Sequence, residues 1–278
     1  MARPQGTLQF DEIGYWSQIK LAILGEYAKP YNTILSSKRL HTVYIDAFAG
    51  AGHHLAKKTG EWIKGSPARA LEVQPPFDFL HFVDMDQSRM LELQRLSTEH
   101  RNVLVHHGDA NEVLPREVFP EVRWDQYRRG LCILDPYGLD LDWKLIAEAG
   151  RMRSIEIFLN FPVMDMNRNV LWRNPERMDA LQIDRMNRFW GDNSWRSAAY
   201  SATGNLFAIP EKQTNDDVAE AFRQRIQKIA GFAHVPEPMP MRNSKGATVY
   251  YLYFASQDKT GLKIVEHIFD KYRNTGMV

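Results

Sequence analysis

Apolar runs of strand length alternate with amphipathic segments of helical period along most of this chain. HTVYIDAF, FDFLHFVDMD, RNVLVHHGDA, RGLCILDPY and RSIEIFLNF are dominated by β-branched, aliphatic and aromatic residues. Between them, SPARALEV, QSRMLELQRLSTEH and DWKLIAEAGRM space their apolar positions three and four apart. Strands that take turns with helices predict a parallel sheet wound by crossover helices. Upstream, Trp16, Ile19, Leu21, Ile23, Leu24 and Tyr27 recur at roughly helical spacing and Pro30 interrupts the pattern. One or two helices over residues 12–37 are therefore expected to precede the first strand and pack on the sheet.

Towards the C-terminus, FAHVPEPMPMR and ATVYYLYFAS flank the turn-rich NSKG, which predicts an antiparallel hairpin, and GLKIVEHIFDKYR follows as a final amphipathic helix. A stretch rich in Met, Arg, Asn and Trp separates the fifth strand from this hairpin and has helical periodicity without a strong strand. The organisation expected is one domain over 1–278, with a helical segment over 1–40 and a helical cap inserted over 163–215. No internal repeat or flexible linker interrupts it.

A length of 278 residues suffices for one large α/β domain with a full core. The 35 basic and 34 acidic residues nearly cancel, so any hold on a polyanion must come from a local patch. The single cysteine, Cys132, lies in the apolar LCILD and is expected to be a buried strand thiol; one cysteine forms no intramolecular disulfide and no paired-cysteine metal site. The first residues lack the apolar core of a signal peptide, and no stretch approaches the roughly 18 apolar residues of a membrane span. A soluble, reducing, cytoplasmic setting is the expectation.

The chemistry is concentrated in YIDAFAGAGHH, where an apolar run ends in an acid and two glycines follow. A dinucleotide fingerprint needs a third glycine where this chain has Leu55, and a phosphate loop needs a lysine where His53 follows Gly52. What remains is a strand ending in Asp46, then Phe48, Gly50 and Gly52, whose missing side chains let a backbone approach a ligand at the carboxyl end of a sheet. That is the usual geometry for S-adenosylmethionine; on this string alone a tight turn with no ligand stays open. Asp84 closes the second strand, where a carboxylate can take both hydroxyls of a ribose. Asp109 closes the third, placed to accept from an adenine amine, with the Ala110 N–H beside it for the ring. Each acid could instead be a helix N-cap.

The fourth strand ends in LDPYG. In amino-group methyltransferases an Asp or Asn side chain and a proline carbonyl accept from the target NH2 while an aromatic ring stacks on the base. Asp135, Pro136 and Tyr137 could supply those parts, although the usual string has two prolines before the aromatic residue.

Taken in order, KLAILGEYAKPY, YIDAFAGAG, GSPARAL, HGDAN, LDPYG and YYLYFAS resemble the three-Cys-motif partner protein family over nearly the whole chain. The resemblance implies a Rossmann-like class I S-adenosylmethionine-dependent methyltransferase fold and pairing with a three-Cys-motif protein. It assigns Asp46, Phe48, Gly50 and Gly52 to the cofactor loop, Asp84 to the ribose, Asp109 to the adenine and Asp135 to Tyr137 to the target. A more distant similarity is to ribosomal-RNA adenine-N6 methyltransferases, which supports an amine target.

In GSP, Ser66 is a good N-cap and Pro67 a good first helical residue, so the first crossover helix is expected to start there. Residues 53–64 are then an excursion, HHLAKKTGEWIK, whose basic residues and Trp62 could cover the cofactor, meet a phosphodiester backbone or simply be solvated. His53 and His54 could reach the methionine carboxylate; no metal site is expected from them. In the cap, Trp172, Arg173, Arg177, Arg188, Trp190, Trp195 and Arg196 interleave rings with guanidinium groups, a mix that stacks bases and holds phosphates unless the rings are packing anchors. The function expected is S-adenosylmethionine-dependent methylation of an amino group on an RNA or DNA base. The alternative is a weak or inactive methyltransferase-like partner of a three-Cys-motif protein.

Overall fold

Val43, Tyr44 and Ile45 are all buried, as a strand covered on both faces requires, and the apolar runs of the sequence become the strands of one sheet. The computed structural model describes residues 12–56, 60–172, 177–201 and 211–274. The strands are β1 (His41–Asp46), β2 (Phe79–Asp84), β3 (Val103–His107), β4 (Arg128–Leu134), β5 (Ile155–Phe161), β6 (Met239–Arg242) and β7 (Thr248–Ala255). They form a seven-stranded sheet in the order β6-β7-β5-β4-β1-β2-β3. β1 to β5 run parallel, and β7 runs antiparallel to both β5 and β6. The direction of winding reverses between β1 and β4, so the carboxyl ends of those strands flank a topological switch point. The Rossmann-like order with an antiparallel β7 slipped between β5 and β6 is the class I methyltransferase fold.

The helices are α1 (Tyr15–Ser37), α2 (Ser66–Leu71), α3 (Gln87–Leu96), α4 (Trp143–Met152), α5 (Val163–Asn169), α6 (Ala180–Trp190), α7 (Trp195–Ala199), α8 (Asn215–Lys228) and α9 (Lys259–Asn274). One sheet face carries Tyr44, Leu131, Ile133 and Phe158 and is packed by Ile23 and Tyr27 of α1 with Val265 and Phe269 of α9. The other carries Val43, Ile45, Cys132 and Ile157 and is packed by residues of α4 and α8. Cys132 is buried with a free thiol. α1 is one helix with Pro30 inside it, not two. A proline interior to a helix costs about 3 kcal/mol; Tyr27, Ala28, Tyr31 and Asn32, all buried around it, offset that cost by packing.

The segment 163–215 holds α5, α6 and α7 and shares the core under the sheet, through Met166, Met186, Phe189, Trp190 and Trp195. Trp190 donates to Ser194 Oγ at 2.9 Å and Trp195 to Asn187 Oδ1 at 2.8 Å, with both rings buried. These two rings anchor helices and have no face left for a base. Arg196 covers the Trp195 ring from 4.5 Å. Trp172 and Arg177 are exposed, and Arg173 lies outside the described residues.

The excursion after the glycines is ordered where it is described: His53–Ala56 and Trp62–Lys64 form an antiparallel hairpin, and Glu12–Ile13 adds a parallel third strand. Lys57, Lys58 and Thr59 lie outside the described residues. α2 begins one residue earlier than the capping pattern predicts, with Gly65 at the cap and Ser66 as the first helical residue. Among the described residues no helix is long and apolar enough to cross a membrane.

Candidate functional site

At the carboxyl ends of β1, β4 and β5 lies a cleft of about 340 Å³, walled by Trp16, Ser17 and Lys20 of α1 on one side and by Phe48 to Gly50 on another. Asp135, Pro136, Tyr137 and Asn160 line it, as do His54, Ser66 and Tyr250. Phe48, Gly50 and the Asp-Pro-Tyr string, assigned from sequence to two different jobs, therefore share one cavity. Asp46, Gly52, Asp84, Asp109 and Ala110 do not line it.

Asp46 lies behind the loop with no solvent exposure, and neither carboxylate oxygen has a hydrogen-bond partner of ordinary geometry. Desolvation pushes its pKa up to about 7; the nearby Asp135 charge adds to the rise, while the Ser66 hydroxyl, the Phe48 N–H and Lys20 oppose it. The one-residue shift in the start of α2 matters here. As first helical residue, Ser66 makes no capping bond and is free to face Asp46.

The two glycines of the loop differ. Both are left-handed, Gly50 at φ 65° and Gly52 at φ 77°. A side chain on Gly50 would meet nothing closer than His54 Cε1 at 3.9 Å, so its open side faces the cleft. A Cβ on Gly52 would strike Leu96 of α3 at 2.7 Å. Gly52 thus serves the packing of the loop on a helix. Gly65 N–H donates to the Gly52 carbonyl at 2.8 Å, and a Cβ there would lie 3.0 Å from that oxygen. The glycine of GSP is a close approach between two backbones.

Asp84 holds the loop from below: its Oδ2 accepts from Gly50 N–H and its Oδ1 from Asp86 N–H, each at 2.8 Å. Burial raises its pKa, and those two bonds oppose the rise. Ionised, its oxygens keep lone pairs beyond the two in use. The N-cap of α3 is Asp86, which accepts from Ser88 N–H at 2.8 Å and Arg89 N–H at 3.1 Å. Asp109 is exposed and caps the short helix Ala110–Val113, accepting from Asn111 N–H at 2.8 Å. Ala110 opens that helix, so its N–H is one that no intrahelical carbonyl can satisfy.

At the floor, Asp135 Oδ1 accepts from Asn160 Nδ2 at 2.8 Å and Oδ2 is ion-paired with the buried Lys20. Lys20 Nζ also stands 5.4 Å from the centre of the Tyr250 ring. Asn160 Oδ1 is buried and accepts nothing. Beside it Tyr137 is 55 % exposed, with the Arg89 guanidinium 5.3 Å from its ring centre and Nη1 donating to its hydroxyl at 3.1 Å. Gly138 closes the string at φ 69°, and a Cβ there would meet Asp165 Oδ2 at 2.8 Å.

Lys20, Asn160 and Tyr250 were not singled out by sequence reasoning. The signal for the first two was present as a polar residue inside an apolar pattern: Lys20 between the buried Ile19 and Leu21, and Asn160 between Leu159 and Phe161. Among the described residues no group of three or more His, Cys, Asp or Glu side chains is placed to hold a metal ion.

No protein-family model matches the sequence. No curated protein matches it either. Among solved structures, protein LPL1258 from Legionella pneumophila is 13% identical with a TM-score of 0.49, covering 95% of this chain and 94% of that one. The methyltransferase domain of bacterial CtHen1-CN is 11% identical with a TM-score of 0.43, covering 87% and 99%. M. jannaschii TYW2 in complex with AdoMet is 11% identical with a TM-score of 0.29, covering 77% and 66%. At such identities nothing about substrate passes to this chain. Its methyltransferase architecture is read from its own strand order.

Proposed function

We propose that the protein is an S-adenosylmethionine-dependent methyltransferase acting on an amino group of a nucleic-acid base. The observation that supports this reading is the meeting, in one cleft, of the Gly50 loop with Asp135, Pro136, Tyr137 and the unpaired Asn160 Oδ1. The residues present fit the cofactor: the open side of Gly50 admits a ligand, and neither oxygen of the buried Asp46 carboxyl has a hydrogen-bond partner of ordinary geometry. Asp84 would take the ribose hydroxyls, Asp109 and the Ala110 N–H the adenine, and His54 the methionine carboxylate.

Bound there, S-adenosylmethionine supplies a methyl group activated by a cationic sulfonium. The chain's own work is positioning and electrostatics. Asp135, the Pro136 carbonyl and Asn160 Oδ1 are acceptors for the hydrogens of an NH2 group and aim its lone pair. The exposed ring of Tyr137 offers a stacking face worth about 1–3 kcal/mol per base. Because a neutral amine attacks with its own lone pair, no strong base is needed before transfer, and the proton released afterwards has Asp135 as an acceptor.

The ion pair between Lys20 and Asp135 favours a second reading, since it already engages the oxygen that the target would use. In that reading the cleft holds the cofactor and the molecule serves to dock a three-Cys-motif protein. Calorimetric titration with S-adenosylmethionine, followed by radiolabelled methyl transfer to cellular RNA, DNA and protein fractions, separates the two. Transfer to RNA or DNA that is lost in Asp135→Ala supports the enzyme. Tight cofactor binding with no transfer to any fraction supports the docking partner.

A further inference from the structure

The opposite end of the sheet contains a second cavity, of about 240 Å³, that the methyltransferase reading does not use. It opens at the amino ends of β4 and β5, lined there by Arg129, Ile155 and Glu156, and is roofed by Tyr27 and Tyr31 of α1 and Ile264 of α9.

Its polar groups are unevenly satisfied. Glu156 accepts from Tyr27 at 2.5 Å through Oε2 and from Ser256 at 2.6 Å through Oε1. The Tyr31 hydroxyl, on a side chain only 5% exposed, has no partner at all. Leaving such a hydroxyl unpaired in the interior opposes folding unless a ligand pairs with it. Arg129 is the other incomplete group. Its guanidinium lies 3.4 Å from the centre of the Trp124 ring and Nη1 donates to the Arg128 carbonyl at 2.8 Å and the Trp124 carbonyl at 3.4 Å. Among the described residues no carboxylate comes within ion-pairing distance of it. Lys38 and Arg153 add two further cations to the lining, both exposed.

We propose that this cavity is a binding site for a small organic anion, a carboxylate or phosphate ester with a flat apolar body, held by Arg129 and the Tyr31 hydroxyl. The indole of Trp124 and the side chains of Ile34, Leu35 and Leu40 supply the apolar wall. Two carboxylates also face the cavity: desolvation pushes the pKa of Glu156 up to about 7, so near neutral pH about half of it is protonated, while Asp258 stays ionised and is outnumbered by Arg129, Lys38 and Arg153. The inference is independent of the cleft at the other end of the sheet.

The test uses the full chain with two anions, benzoate and adenosine 5′-monophosphate, and their uncharged counterparts, benzamide and adenosine. Binding is read by calorimetry and ligand-observed magnetic resonance. The expected result is that at least one anion binds, that its uncharged counterpart binds at least tenfold more weakly, and that Arg129→Met lowers the anion's affinity at least tenfold. Which anion binds distinguishes carboxylate from phosphate. Tyr31→Phe is the second variant: it removes an unpaired buried oxygen, so it should leave the melting temperature unchanged or higher while lowering anion affinity severalfold. Absence of binding by both anions at millimolar concentration overturns the proposal. So does undiminished binding to Arg129→Met, or a Tyr31→Phe protein that is less stable and binds as well as the parent. If circular dichroism shows Arg129→Met unfolded, Tyr31→Phe alone decides.

Discussion

Lys20 of α1 is ion-paired to Asp135 at the end of β4, across 115 residues of sequence, so the first long helix closes the cleft over the residue that would touch a target amine. Both partners are shielded, and removing one leaves the other's charge without its counterpart. Lys20→Met should therefore destabilise the fold by about 2–4 kcal/mol. Replacing both with Met and Leu should recover more than half of that loss, because a buried pair exchanged for apolar groups is often neutral. Urea denaturation of the two single variants and the double variant measures it.

Asp135→Ala should leave affinity for S-adenosylmethionine within about threefold, because the cofactor contacts are assigned elsewhere. Methyl transfer should fall about a hundred- to thousandfold, equivalent to about 2.7–4 kcal/mol of transition-state stabilisation. Calorimetry and single-turnover transfer on the same preparation check both halves.

The two loop glycines should fail differently. Gly52→Val drives a branched side chain into Leu96 at a positive φ, so the expected effect is a loss of stability of about 2 kcal/mol or more. Gly50→Val also suffers at φ 65°, but its side chain enters the cleft, so cofactor affinity should fall further than stability does. Thermal unfolding set beside cofactor titration distinguishes them. Equal cofactor loss in both would contradict the assignment of Gly52 to packing.

Asp46 makes stability fall as pH rises. Its pKa is about 7 folded, against an ordinary 3.8, so the folded state holds the extra proton between those values. The associated stability is fully present below pH 3.8 and is lost as pH rises through 7. Asp46→Asn removes the ionisation and should be more stable than the parent at pH 8 by about 1–3 kcal/mol, while binding S-adenosylmethionine more weakly. Denaturation at pH 5 and pH 8 tests the sign.

His81 acts in the opposite sense. It is buried in β2, its Nδ1 is 3.1 Å from His106 Nε2, and His106 Nδ1 is 3.0 Å from Glu117 Oε2. Burial and the neighbouring His106 charge lower its pKa to about 4 from 6.5, so the unfolded chain takes the proton first. Stability is full above pH 6.5 and is lost as pH falls through 4. His81→Phe should flatten the acid limb over that window by about 2–3 kcal/mol, read from urea midpoints at pH 5 and pH 7.

The sheet was legible because its strands are buried on both faces and so appear as unbroken apolar runs, and Asp109 was open to the N-cap reading that it fulfils. The hairpin of 53–64 was not legible: its strands are four and three residues long, and His53 and His54 carry no alternation. Pro30 left one helix or two open, and packing around it decides for one. Trp190 and Trp195 look alike on the page whether they meet a base or a core. Lys20 and Asn160 stood out only as polar interruptions, and what they interrupt for is a carboxylate brought close by the sheet order. Gly50 and Gly52 carry the same letter, and only the position of Leu96 tells them apart.

α1 supplies Trp16, Ser17 and Lys20 to the cleft at one end of the sheet and Tyr27 and Tyr31 to the cavity at the other. From Lys20 to Tyr31 is eleven steps, roughly 16 Å of helical rise, so one beam bears on both ends of the molecule. A fragment starting at β1 would lose a wall of each cavity together. In architectural terms the sheet is the floor plan, but the rooms exist only once this beam is laid, and the two can be closed separately only by changing single side chains along it.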